Sequence, residues 1–120
     1  MIRYINCFRK APGLSTEDFR EFWQSAEFDE LIHKIVVLTG AVRHSKSLTL
    51  QVSMGEELVS ERGLAQPYDG ILEYYWESAQ HLPEVYASEE ARTLLEQLTR
   101  FQRQFVDLAN STAFFTEHRN

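Results

Sequence analysis

The chain predicts an α+β domain whose elements follow one another as β-α-β-β-α-β. Three features lead there. Ile2 to Arg9 alternates as a strand does. Ser15 and Ser88 each stand before an apolar stripe at helical spacing. The last third runs from an aromatic strand, Ile71 to Glu77, through a long helix to a closing strand, Ser111 to His118. Strand side chains alternate between two faces, whereas helix neighbours recur every three or four residues, so the two periods separate the element types.

In the first strand Ile2, Tyr4, Asn6 and Phe8 share one face, and Arg3, Ile5 and Cys7 the other. Pro12-Gly13 turns the chain. Ser15 caps a helix with Glu17 and Asp18 in its first turn, where carboxylates meet the positive end of the dipole. Phe19, Phe22, Trp23 and Ala26 follow at helical spacing. The stripe changes phase near Phe28 and resumes as Leu31, Ile32, Ile35, Val36 and Leu38, so one bent helix or two helices are expected, ending before Gly40. Val42 to Met54 is expected as the second strand, with its cleanest alternation from Leu48 to Ser53. Residues 55–66 are acidic, contain Gly55 and Gly63, and are expected to be the least structured segment, a mobile flap. Asp69-Gly70 reads as a turn, because glycine accepts a positive φ. Ile71 to Glu77, rich in strand formers, is the third strand. A short helical turn containing Pro83 is expected over 79–87. Ser88 then caps a helix with the stripe Ala91, Leu94, Leu95, Leu98 and Phe101.

This order is the ferredoxin-like plan, with helices on one face of a four-stranded antiparallel sheet. A chain of 120 residues fits a single domain, 1–120. The third strand puts Ile71 and Tyr75 on one face and Leu72, Tyr74 and Trp76 on the other. Both faces are therefore apolar, and the face without helices calls for a partner sheet, supplied by a second copy under two-fold symmetry.

A formal net charge of −6 and a pI near 5.2 exclude a phosphate-backbone partner, since nucleic-acid binders cluster Lys and Arg. No apolar stretch suits a membrane span. Cys7 is the one cysteine, so no internal disulfide forms and a cytoplasmic location is expected. The four histidines show no metal-ligand spacing, and no metal is expected. There is no P-loop, dinucleotide fingerprint or nucleophile elbow, so no cofactor is expected.

Several words of the sequence resemble the EthD domain, a branch of the dimeric α/β barrel superfamily. They are Arg9-Lys10-Ala11-Pro12-Gly13-Leu14-Ser15 with Phe19 and Phe22-Trp23, then Asp69-Gly70 with Glu73, then Phe105-Val106-Asp107 and the closing Ser111 to Glu117. The resemblance implies a homodimer forming a dimeric α/β barrel, with a cavity between each sheet and its helices. It also implies small-molecule metabolism. The founding member is associated with ethyl tert-butyl ether degradation beside a cytochrome P450 system, and other relatives act as lyases, dehydratases or decarboxylases on aromatic polyketides. Many members carry a His about four residues after the Trp-like position of the first helix. This chain has Glu27 there.

The resemblance and the residue types together give the candidates. Glu27 and His44 are expected as acid/base groups, Glu27 only if burial tunes its pKa and His44 because imidazole titrates near neutrality. Asn6, mid-strand among aromatics, is expected to hydrogen-bond a substrate oxygen. Trp23, Tyr74, Trp76 and Tyr4 are expected to wall a pocket for an apolar or aromatic metabolite. Each has a plainer reading, as a core aromatic or a locally satisfied polar group. A haem-degrading variant of the fold would share Asn6 and Trp76, but its axial His near Leu94 or Leu95 is missing. Two functions follow. One is an oxidoreductase-associated or lyase-type enzyme. The other is a non-catalytic ligand binder or accessory subunit of a monooxygenase partner.

Overall fold

A computed structural model describes residues 1–119; Asn120, the last residue of the expected 1–120 domain, lies outside the described residues. The elements are β1 (Ile2–Phe8), α1 (Thr16–Trp23), α2 (Ala26–Thr39), β2 (Arg43–Leu48), α3 (Ser53–Arg62), β3 (Gly70–Trp76), α4 (Leu82–Tyr86), α5 (Glu89–Gln102) and β4 (Thr112–Glu117), with a 3-10 turn at Leu108–Asn110. The four strands form one antiparallel sheet in the order β2-β3-β1-β4. The first and second halves of the chain thus interleave, as the ferredoxin-like plan requires.

Serine caps set the helix boundaries. Ser15 accepts from the Asp18 N–H and Ser88 from the Ala91 N–H, at 3.0 and 3.2 Å. The phase shift near Phe28 is a break between two helices. Ser25 accepts from the Phe28 N–H to start α2 while its own hydroxyl donates to the Phe22 carbonyl of α1. One small side chain therefore ends one helix and begins the next. Lys46 of β2 holds this junction to the sheet. Its ammonium donates to the Trp23 carbonyl at 2.7 Å and pairs with Asp29 at 2.5 Å.

Three expectations change. β2 stops at Leu48, well short of Met54. The segment expected as a flap carries a regular helix, α3, closed by Gly63 in the left-handed conformation (φ 63°); none of its side chains is buried. Gly70 is not a turn glycine. It opens β3, and a Cβ there would stand 2.8–3.0 Å from three indole carbons of Trp23. The residue is small because a buried ring lies on it.

Register fixes the faces. Gly70, Leu72, Tyr74 and Trp76 of β3 point toward the helices, with Phe8, Asn6, Tyr4 and Ile2 opposite them on β1. Leu72, Tyr74 and Trp76 join Phe19, Trp23, Phe28, Ile32 and Phe105 in one core. The outer face carries Cys7 beside Ile71 at one end and, in the next row, Ile5 between Glu73 and Phe114. Toward the other, the Tyr75 hydroxyl donates to Glu73 at 2.6 Å, and Arg43 covers the Tyr75 ring at 4.1 Å.

Candidate functional site

Two aromatic groups share the inner face of the sheet, and they differ in kind. At the Gly70 end, Trp23 lies against Phe19 and Phe28 with ring centroids at 5.6 and 5.4 Å, and Phe28 meets Phe105 at 5.5 Å. Phe8 and Phe101 complete this group. Toward the Trp76 end, Tyr4 stands opposite Tyr74 on one side and Phe115 on the other. Tyr74 and Trp76 stack at 6.0 Å and 28°, Tyr4 and Phe115 approach to 4.5 Å, and Trp76 and Phe115 to 6.2 Å.

The second group carries buried polar tips. Tyr74 is 4% exposed and Trp76 1%, yet neither the Tyr74 hydroxyl nor the Trp76 indole N–H has a hydrogen-bond partner among the described residues. A buried donor left unpaired costs about 1–3 kcal/mol. Tyr86 of α4 adds a third phenol. Burial pushes the Tyr74 phenol well above its ordinary value, and the nearby Tyr86 and Tyr4 phenols push it further. Burial also raises Tyr4, and burial with Tyr4 nearby raises Tyr86. All three therefore stay neutral donors at physiological pH. α4 is placed by His81, whose ring Nε2 donates to the Thr39 carbonyl at the end of α2, 2.8 Å away. The corner opens at the β4 edge, where Phe115 is 51% exposed.

The expected site residues fall in four places. Tyr4, Tyr74 and Trp76 meet in this corner. Asn6 lies beside it on the same face of β1, half-buried, its amide donating to the Leu72 carbonyl at 3.2 Å. That bond leaves the amide oxygen as an acceptor. Trp23 belongs to the other group, packed between Gly70 and Phe28. His44 is exposed on the edge strand β2, in register with Tyr74. Glu27 is exposed on the first turn of α2 and lines a helix-side groove with Lys34, Arg100 and Gln104. Glu27 and His44 are not brought together. Two contributors were not suggested by the sequence: Phe115 of β4, beside Tyr4 and Trp76, and Tyr86, which comes from a five-residue helix with no periodic signal.

Chemically, the corner is a donor site. It brings neutral phenols and an indole N–H, groups that donate to an oxygen acceptor, beside stacked rings. Among the described residues no group of three His, Cys, Asp or Glu side chains is arranged to hold a metal ion.

No family model matches the chain, and no curated protein matches it in sequence. Solved structures do match in shape. An ethyl tert-butyl ether degradation (EthD) family protein from Bacillus halodurans C-125 superposes with a TM-score of 0.62 at 13% identity, over 99% of this chain and 100% of that one. The fold is EthD-like. A dimeric ferredoxin-like protein of unknown function from Bacteroides fragilis NCTC 9343 matches at 0.60 and 8% identity, over 98% and 95% of the two chains. SnoaB, a cofactor-independent oxygenase from Streptomyces nogalater, matches at 0.53 and 11% identity, over 99% and 93%. At these identities the likeness is one of architecture.

Proposed function

We propose that this EthD-like protein is a homodimer that binds an apolar or aromatic metabolite in the corner formed by Tyr4, Tyr74, Trp76, Tyr86 and Phe115. The observation that carries the proposal is the pair of buried donors, Tyr74 Oη and Trp76 Nε1, on one strand face without partners among the described residues. A ligand oxygen supplies what they lack, and an aromatic body fits the rings around them. Asn6 offers a third polar group on the same face. The dimer is supported by the apolar residues of the outer sheet face, Ile5, Cys7, Ile71 and Phe114, and by dimeric proteins of the same fold.

Small-molecule metabolism is supported by the fold shared with an EthD protein and with an oxygenase that works without a cofactor. An oxidoreductase-associated or lyase role, with Asn6, Glu27 and His44 as polar groups, is the catalytic form of this proposal. A binder or accessory subunit of a monooxygenase is the second form, favoured by one observation: Glu27 and His44 both face solvent. No described helix is long and apolar enough to cross a membrane.

The test is native mass spectrometry with an absorption spectrum, followed by titration of the retained or a surrogate oxygenated aromatic. Wild type is expected to bind and Tyr74→Phe to bind at least about tenfold more weakly, the worth of one hydrogen bond to a buried donor. Equal affinity for both proteins removes the corner as the site. Turnover that survives Glu27→Gln and His44→Ala removes those two residues and leaves Asn6. No turnover with any oxygenated aromatic favours the binder.

A further inference from the structure

The corner around Tyr74 and Trp76 has buried donors and no fixed positive charge. Strand register shows this row by row. On the inner face Tyr74 is flanked by His44, Tyr4 and Phe115, and Trp76 by Ile2 and Glu117. Among the described residues neither row holds a lysine or an arginine. Lys46 is one row away, opposite Leu72, and its ammonium is committed to the Trp23 carbonyl and to Asp29. Arg3 and Arg43 lie on the other face, against the Tyr75 ring. α4, which brings Tyr86, carries Glu84 and no cation, and the His81 ring before it is bonded to the Thr39 carbonyl. Arg92 and Arg100 of α5 and Lys34 of α2 are exposed. The charged or titratable neighbours by register are therefore an imidazole, His44, and a carboxylate, Glu117, both exposed at the rim. The Tyr74 phenol reflects the same surroundings. Burial and two neighbouring phenols hold it above its ordinary value, whereas a facing cation would pull it down.

We infer that the corner selects a neutral carbonyl carried on an aromatic body and rejects the corresponding carboxylate. The inference rests on the ligand site proposed above and names the acceptor that site takes. Its two buried donors are a phenol O–H and an indole N–H, and the indole can only donate. A carbonyl oxygen offers two lone pairs and brings no proton of its own, so it answers such donors without adding an unpaired one. The Tyr74 and Trp76 rings, stacked at 6.0 Å and 28°, give the aromatic body an apolar wall. A carboxylate accepts from the same donors but arrives charged. Taking that charge out of water is unfavourable unless a cation or several strong donors replace its hydration. Here neutral rings stand where the cation would be. Glu117 at the rim, in a chain of net charge −6, also opposes the approach of an anion.

Three probes of one shape test this: fluorene, which has no oxygen; 9-fluorenone, which adds a neutral carbonyl; and fluorene-9-carboxylate, which adds a charged one. Equilibrium dialysis at pH 8, above the ordinary imidazole range, measures each on the full-length wild type and on Tyr74→Phe. Far-UV circular dichroism checks that the variant is folded. Wild type is expected to bind 9-fluorenone about tenfold more tightly than fluorene, and at least about tenfold more tightly than fluorene-9-carboxylate. In Tyr74→Phe the preference for 9-fluorenone over fluorene is expected to shrink to about threefold or less, while fluorene itself binds as before. A carboxylate bound as tightly as the ketone overturns the inference and leaves the corner as a ligand site. Equal binding of fluorene and 9-fluorenone also overturns it, and the apolar pocket then stands without its acceptor. A ketone preference that survives in Tyr74→Phe places the carbonyl elsewhere and overturns it too. Binding of none of the three probes overturns both this inference and the site on which it rests.

Discussion

The two aromatic groups on the inner face of the sheet are built from the same materials and end differently. Around Trp23 the rings are Phe8, Phe19, Phe28, Phe101 and Phe105, hydrocarbon except for one indole, closed off from solvent by α1, α2 and α5. Around Trp76 the rings are Tyr4, Tyr74 and Tyr86 with Phe115, and the three phenols lie near enough to influence one another's ionisation. The first group is where the fold gains stability. The second gives some up, because unpaired buried donors cost free energy that phenylalanine in their place would not. The proposed ligand would offset that cost at the polar end, and the contrast between the two ends is what the following measurements test.

The largest effect belongs to the closed group. Phe28 is 0% exposed and touches Trp23, Phe101 and Phe105. Phe28→Ala leaves a cavity and is expected to cost about 3–5 kcal/mol in urea unfolding. The smaller but more telling change is Gly70→Ala, which adds one methyl group against the Trp23 indole at 2.8–3.0 Å. Trp23 is held by rings on several sides and has nowhere to go, so overpacking is expected to cost about 1–3 kcal/mol. A neutral Gly70→Ala would mean that this end is looser than its contacts indicate, and the contrast between the groups would weaken.

Tyr74→Phe tests the open group from the other side. It removes an unpaired hydroxyl while keeping the ring against Trp76. Stability is expected to stay level or to rise by up to about 1 kcal/mol, while affinity for an oxygenated aromatic falls about tenfold. A loss of stability instead would show that the hydroxyl is satisfied within the protein, and the corner would become core like its neighbour.

How far the sequence reveals this contrast depends on what decides each residue's place. Strand parity puts Tyr4, Tyr74 and Trp76 on one face, and register then brings them together, so that part was legible. Parity does not say which end of the sheet a helix covers. Trp23 was therefore grouped with Trp76 when α1 in fact delivers it to Gly70. Gly70 shows the same limit: a glycine beside Asp reads as a turn, and only the ring packed on it gives the real reason. Tyr86 was hidden because α4 is too short for a period, and its position depends on the bond from His81 to Thr39. In α3 the residues that favour a helix, Glu56, Glu57, Leu58 and Glu61, were present, but two glycines and no apolar stripe made the segment read as a flap. One of those glycines, Gly63, is its C-cap.

The finest separation of the two groups comes from alkaline pH, because only the open one titrates. The Tyr74 phenol has its folded pKa raised above the unfolded value of about 10. The folded protein therefore keeps this proton when the unfolded chain has begun to lose it. The unfolded state binds fewer protons, so stability falls as pH rises. The contribution is fully present below pH 10 and is lost as pH climbs toward the folded value. At pH 10 the unfolded phenol is half ionised, which corresponds to a loss of about 0.4 kcal/mol for this one group, growing steeply above it. Tyr4 and Tyr86 shift the same way from more open positions. Urea unfolding of wild type and Tyr74→Phe between pH 8 and 10.5 isolates the Tyr74 part, since every other titration is shared. The two stability curves are expected to run parallel up to about pH 9 and then to diverge, with wild type falling faster. Curves that stay parallel throughout would mean that the Tyr74 hydroxyl ionises as readily folded as unfolded, and a phenol that does so is solvated rather than held as a dry donor for a ligand.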